Sequence, residues 1–126
     1  MHAFPSVELS APQAAAFASG LFTLAEADQA HPAEMRLIEA FAHDFGDPGA
    51  ALRVLTPDEL AQALPNTSSR ALFMRFGILL AHLHGGVTAP ERTALDAFAR
   101  ALGMDEADLL ALEFEVVSEM AAAASA

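Results

Sequence analysis

Glu34 and Glu91 stand 57 residues apart, each three residues inside a position that can cap a helix, His31 in the first case and Thr88 in the second. A carboxylate at that place accepts from an open backbone N–H at the helix start and is favoured by the helix dipole. Thr88-Ala89-Pro90-Glu91 is a full capping box, whereas His31-Pro32-Ala33-Glu34 keeps the carboxylate behind a poor cap residue. Histidine is the other residue type here with chemical reach. His82 and His84 are two apart, so on a helix they point to different faces and do not readily chelate one ion. At a helix C-terminus an imidazolium is favoured by the dipole, and His43-Asp44 near another helix end reads the same way. Other chemistries lack their residues. There is no cysteine, no His-Glu-x-x-His and no serine in a Gly-x-Ser-x-Gly turn. Gly85-Gly86 has neither the following lysine nor the strand of a phosphate loop.

The elements that must position these residues read as helices. Ser10-Ala11-Pro12-Gln13 is a capping box, and Phe17, Leu21, Leu24 and Ala25 then recur at helical spacing to about Ala27. Pro32 suits the first position of a second helix striped by Leu37, Ile38, Phe41 and Phe45, with Gly46 placed to end it. Asp47-Pro48-Gly49 breaks the chain, and Ala50 to Leu55 can hold one helical turn. Thr56-Pro57-Asp58-Glu59 opens a short helix through Leu60 and Leu64. Thr67, Ser68 or Ser69 is expected to cap a long central helix running through Phe73 to Leu83. After the turn His84-Gly85-Gly86-Val87, the box at Thr88 starts a helix that ends at Gly103. Asp105 then caps a last helix with an acidic first turn and an inward stripe of Leu109, Leu112, Val116 and Met120. No strand-like alternation occurs. The expectation is one all-α domain over residues 1–126 with about seven helices, a loose arm over 1–9 and a frayed end over 121–126.

Composition bounds the partners. With 54% hydrophobic and 18% charged residues the chain can fold around a full core, and no apolar run reaches the length of a membrane span. No basic segment followed by an apolar one opens it, so a soluble, cytoplasmic protein is expected. Formal net charge is −11, and all six basic residues are arginine. Such a surface repels nucleic-acid phosphate and anionic membrane and attracts cations or basic proteins, while also keeping an alanine-rich domain in solution. Neither nucleic acid nor membrane insertion is expected, and a protein partner or self-association is.

The two halves echo each other. Glu34, Leu37, Phe41, Ala42, Phe45 and Gly46 match Glu91, Ala94, Phe98, Ala99, Leu102 and Gly103 at one offset, behind an apolar helix in each case. Duplicated helical hairpins, Phe17 to Phe45 and Phe73 to Leu102, would enclose one core about a pseudo-twofold axis. The run Ala81-His82-Leu83-His84-Gly85-Gly86-Val87-Thr88-Ala89-Pro90-Glu91, followed by Leu95, Phe98-Ala99, Leu102-Gly103-Met104 and Asp108-Leu109, resembles the tellurite-resistance TerB-like domain family. Ala25 to Glu34 resembles the same pattern with one residue lost from the turn. The resemblance implies a divalent-cation role for the turn aspartate and the following glutamate. These are Asp28 and Glu34 in the first half, while in the second His84 stands in the aspartate position before Glu91. Gln29 occupies the place of a turn glycine. Oxygen ligands would suit Mg²⁺, Ca²⁺ or Mn²⁺, and the imidazole shifts preference toward Zn²⁺.

Three functions are compatible with these residues. The first, implied by the resemblance and by the missing nucleophiles, is a non-enzymatic TerB-like module. It would act through protein contacts in a stress or tellurite-resistance-type response, with a divalent cation as modulator. The second is a metal-dependent enzyme with Asp28, Glu34, His84 and Glu91 in one site. The third is a helical domain holding an apolar ligand between its hairpins, which an apolar pocket with one or two polar groups would favour.

Overall fold

The computed structural model describes residues 9–27, 29–45, 52–83 and 86–125, and these form six helices with no strand among them. They are α1 (Ala11–Glu26), α2 (Pro32–Phe45), α3 (Pro57–Ala63), α4 (Thr67–His82), α5 (Ala89–Ala101) and α6 (Glu106–Ser125). Capping boxes at Ser10/Gln13, Thr56/Glu59 and Thr88/Glu91 open α1, α3 and α5, each with a proline in the first turn. Asp105 opens α6, its Oδ1 accepting from the Asp108 N–H at 2.8 Å. Gly103, at φ +83°, turns the chain out of α5, and the Met104 N–H donates to the Ala99 carbonyl at 2.8 Å. That is the glycine-terminated helix end of a Schellman motif.

Two expectations give way. The stretch 52–55 is not helical, so six helices stand among the described residues where about seven were expected. Its backbone is taken up by α1 instead: the N–H groups of Arg53 and Leu55 donate to the hydroxyls of Ser19 and Thr23. The cap of α4 is Asn66, not Thr67, Ser68 or Ser69, all three of which lie inside the helix. Asn66 makes no side-chain capping bond, while the Ser69 hydroxyl is buried and donates back to the Asn66 carbonyl at 2.9 Å. A serine one turn in competes for the same backbone group, which sequence position alone does not reveal. The arm over 1–8, Gly46 to Ala51 and the turn residues Asp28, His84 and Gly85 lie outside the described residues.

Five phenylalanines join four of the helices. Phe17 of α1 stacks on Phe41 of α2 with ring centroids 4.3 Å apart, and meets Phe73 and Phe76 of α4 edge-on at 5.2 and 5.7 Å. Phe98 of α5 closes on Phe73 at 5.4 Å. Edge-to-face and offset aromatic pairs add to the burial of area that holds the domain together. α1 and α4 approach closely where they carry glycine. A Cβ on Gly20 would sit 2.7 Å from Phe73 Cε1, and one on Gly77 would sit 2.8 Å from Leu24 Cδ1. Both contacts step four residues along their helices in the same direction, so a groove on each backbone receives a side chain of the other.

Arg70, in the first turn of α4, ties three elements. Its guanidinium donates to the carbonyls of Ala61 and Leu64 at the end of α3, at 2.9 and 2.6 Å, and of Leu102 at the end of α5, at 3.3 Å. Carbonyls at helix C-termini lack partners within their helix and sit at the negative end of the dipole, so a cation there fills both needs.

Candidate functional site

The four residues proposed for a cation divide into two described and two not. Asp28 and His84 lie outside the described residues. Glu34 and Glu91 are buried, at 0% and 1% exposure, each at the first turn of its helix. Glu34 Oε1 accepts from the His31 N–H at 2.9 Å, and Glu91 Oε1 from the Thr88 N–H at 3.3 Å. Both carboxylates therefore do the capping work that their positions indicate. Among the described residues no three His, Asp or Glu side chains come together as a metal site.

The histidines separate. His43 is well exposed, with Nδ1 3.7 Å from its neighbour Asp44. His82 is engaged across the fold: its Nε2 lies 2.9 Å from Glu113 Oε2 of α6. Arg92 of α5 donates to that same oxygen at 2.6 Å, so one carboxylate gathers α4, α5 and α6. The Arg92 hydrogen bond foremost, then that of His82, holds the Glu113 carboxyl below the ordinary range, while burial works against them. On another line of α6, Glu119 and Glu115 both bind the Arg75 guanidinium of α4 and raise its pKa. The arginines and glutamates were each visible in the sequence. Their pairing was not, because the partners lie 21 to 44 residues apart.

What remains after these pairings is the surface of α6. Its inward stripe is as expected, with Leu109 and Val116 buried and Leu112 and Met120 partly so. A second apolar line was overlooked: Leu110, Phe114 and Val117 are 54%, 76% and 39% exposed. They are spaced i, i+4, i+7 and share one face of the helix. The signal was legible, since α6 carries apolar residues on two faces where a helix packed on one side needs a single stripe. Beside the N-terminal end of this line is a hollow of about 430 Å³ containing Asp96, Asp105 and Glu106 with Arg100, above Met104 and Leu109. On the α4 side of the same helix an apolar groove of about 340 Å³ runs between Leu72, Phe76, Leu79, Val116 and Met120, edged by Arg75 and Glu119.

No helix of the described residues is long and apolar enough to cross a membrane. No protein-family model, no curated protein and no solved structure matches this chain.

Proposed function

We infer that this chain is a non-enzymatic helical module of TerB-like type that works by docking another protein on α6. The observation that carries the reading is Phe114, a large aromatic left 76% exposed between Leu110 and Val117 on one helix face. Scattered exposed apolar residues need no explanation, but an aligned stripe of this kind marks an interaction surface. The TerB-like assignment rests on the repeat. Glu34 and Glu91 cap equivalent helices, and Phe41 and Phe98, at the same offset, are both buried in the aromatic core. A stress or tellurite-resistance-type role follows from that assignment alone. The resemblance also implies cation modulation through Asp28, Glu34, His84 and Glu91; because Glu34 and Glu91 are engaged in caps, the module is proposed to work without a bound ion.

Photo-crosslinking tests the contact. A crosslinking amino acid at position 114 in cells should give one discrete adduct, also obtained from 110, and none from the exposed Arg36 on α2. No adduct from either α6 position would end the reading. A second reading, an apolar small molecule, is favoured by the groove between α4 and α6 with its single Arg75–Glu119 edge. It lies against α6 and not between the two hairpins, so it departs from the ligand site anticipated from the sequence.

A further inference from the structure

We propose that the occupant of the outer face of α6 is a basic amphipathic helix of a partner protein, its apolar side on Leu110, Phe114 and Val117 and its cations in the hollow formed by Asp96, Asp105 and Glu106. The inference rests on the protein-contact reading above and names the partner's chemistry. Leu110, Phe114 and Val117, spaced i, i+4, i+7, form an apolar stripe along which a second amphipathic helix can pack side by side. Glu106 is four residues before Leu110, so it continues the same line toward the hollow. Three carboxylates and one guanidinium, Arg100, line the hollow, and with Arg92 also acting on Asp96 it keeps a net negative charge where the stripe ends.

The charges elsewhere point the same way. Of the six arginines, Arg53, Arg75 and Arg92 are held by the carboxylates of Glu59, Glu115, Glu119 and Glu113, and Arg70 by helix carbonyls. The field around α6 is thus that of a chain with net charge −11. A second copy would bring the same net charge of −11 to the interface, and that repulsion opposes association. The stripe is also narrow. Three partly exposed side chains offer roughly 300 Å², against about 800 Å² per partner in a stable interface. A short helix whose affinity is shared between apolar anchors and salt-sensitive charge fits that area better than a copy of the whole domain.

The test uses the full chain and three synthetic peptides of roughly 18 residues, five helical turns. One carries a Leu/Phe stripe with Lys and Arg on the other faces. The second has the same composition scrambled to destroy the stripe, and the third keeps the stripe with Glu for every Lys and Arg. Fluorescence anisotropy should show micromolar binding of the first, at least about tenfold weaker binding of the second and none of the third. Phe114→Ser should weaken the first peptide about tenfold with helicity and melting unchanged. Asp96→Asn with Glu106→Gln should weaken it severalfold and flatten its salt dependence. Asp105 is left in place because it caps α6. Equal binding of the scrambled peptide, or full affinity in Phe114→Ser, would overturn the proposal. So would light scattering that shows a wild-type dimer made monomeric by Phe114→Ser, which would assign the face to a second copy. A crosslinked partner at position 114 with no basic amphipathic segment would overturn the partner's chemistry and leave the contact reading standing.

Discussion

Glu34 and Glu91 hold the same place in two helices, the third residue of α2 and of α5, and each reaches back to the backbone N–H of the residue before its helix. In α5 the bond is half of a reciprocal box, because the Thr88 hydroxyl accepts from the Glu91 N–H. In α2 the residue at the corresponding place is His31, which has no hydroxyl to offer. Removing either acid uncovers a buried helix start. Glu34→Ala and Glu91→Ala should each cost about 1–3 kcal/mol, and Thr88→Ala about 1 kcal/mol, measured by urea unfolding. Losses under about 0.5 kcal/mol would place these carboxylates outside the caps.

The same two acids decide the cation experiment. A divalent ion bound only by the folded chain raises stability in proportion to RT ln(1 + [L]/Kd). With Glu34 and Glu91 already committed to caps, melts in millimolar Mg²⁺ or Ca²⁺ and in micromolar Zn²⁺ should overlay those of the ion-free protein, in wild type and in Asp28→Asn. A rise in wild type that Asp28→Asn abolishes would establish the TerB-like ion site.

Gly20 and Phe73 make the tightest approach of α1 to α4. Alanine is the better helix former by about 1 kcal/mol, yet its Cβ at position 20 would lie 2.7 Å from the Phe73 ring. Phe73 is fully buried between Phe17 and Phe98 and has little room to yield. Overpacking should win, so Gly20→Ala is expected to destabilise by about 1–3 kcal/mol. Phe98→Ala, which empties the other side of the same cluster, should cost about 3–5 kcal/mol. A Gly20→Ala protein as stable as wild type would mean the ring moves aside.

Much of this fold was legible because it is written locally. The boxes at Ser10, Thr56 and Thr88, the cap at Asp105 and the stripes through Phe17, Phe41 and Phe98 each need only a few neighbouring residues. The features that escaped are those set by distant partners. Ser19 and Thr23 hold the 52–55 stretch extended against α1, and nothing within that stretch signals it. Arg70 gives no sign in sequence that three helix-end carbonyls will converge on it. His82 read as a dipole-stabilised end residue because Glu113, 31 positions on, could not be placed beside it. The outer stripe of α6 is different. Its spacing was present in the residues, but the inward stripe had already accounted for the helix.

Gln29 and Ala30 turn the chain from α1 to α2 at φ +67° and +45°, the left-handed region that costs an L residue about 1–2 kcal/mol. The Ala30 N–H still donates to the Ala25 carbonyl at 2.7 Å, so the turn closes the end of α1 at the expense of strain. Gln29 also occupies the position where the resembling family has glycine. Gln29→Gly should therefore stabilise by about 0.5–1 kcal/mol, despite the greater freedom of glycine in the unfolded chain. A fall in melting temperature would show that the Gln29 side chain contributes more than its backbone costs.

Glu113 offers a test by pH. Its carboxyl is held below 4.5 chiefly by the Arg92 hydrogen bond and then by His82. A depressed carboxyl contributes stability that is complete above its unfolded pKa and lost as pH falls through the folded one. The difference in stability between wild type and Glu113→Gln should thus be constant near neutrality and shrink as pH falls below about 4.5 toward the lowered folded value. Its neutral-pH size should be about 1 kcal/mol, modest because the Arg92 side chain is 37% exposed and partly screened. Because Glu113 joins α6 to α4 and α5, amide exchange in α6 should quicken in the variant more than exchange in α1 or α2. A difference that persists unchanged to pH 3 would mean that Glu113 stabilises by packing, and that the charge cluster does not hold α6.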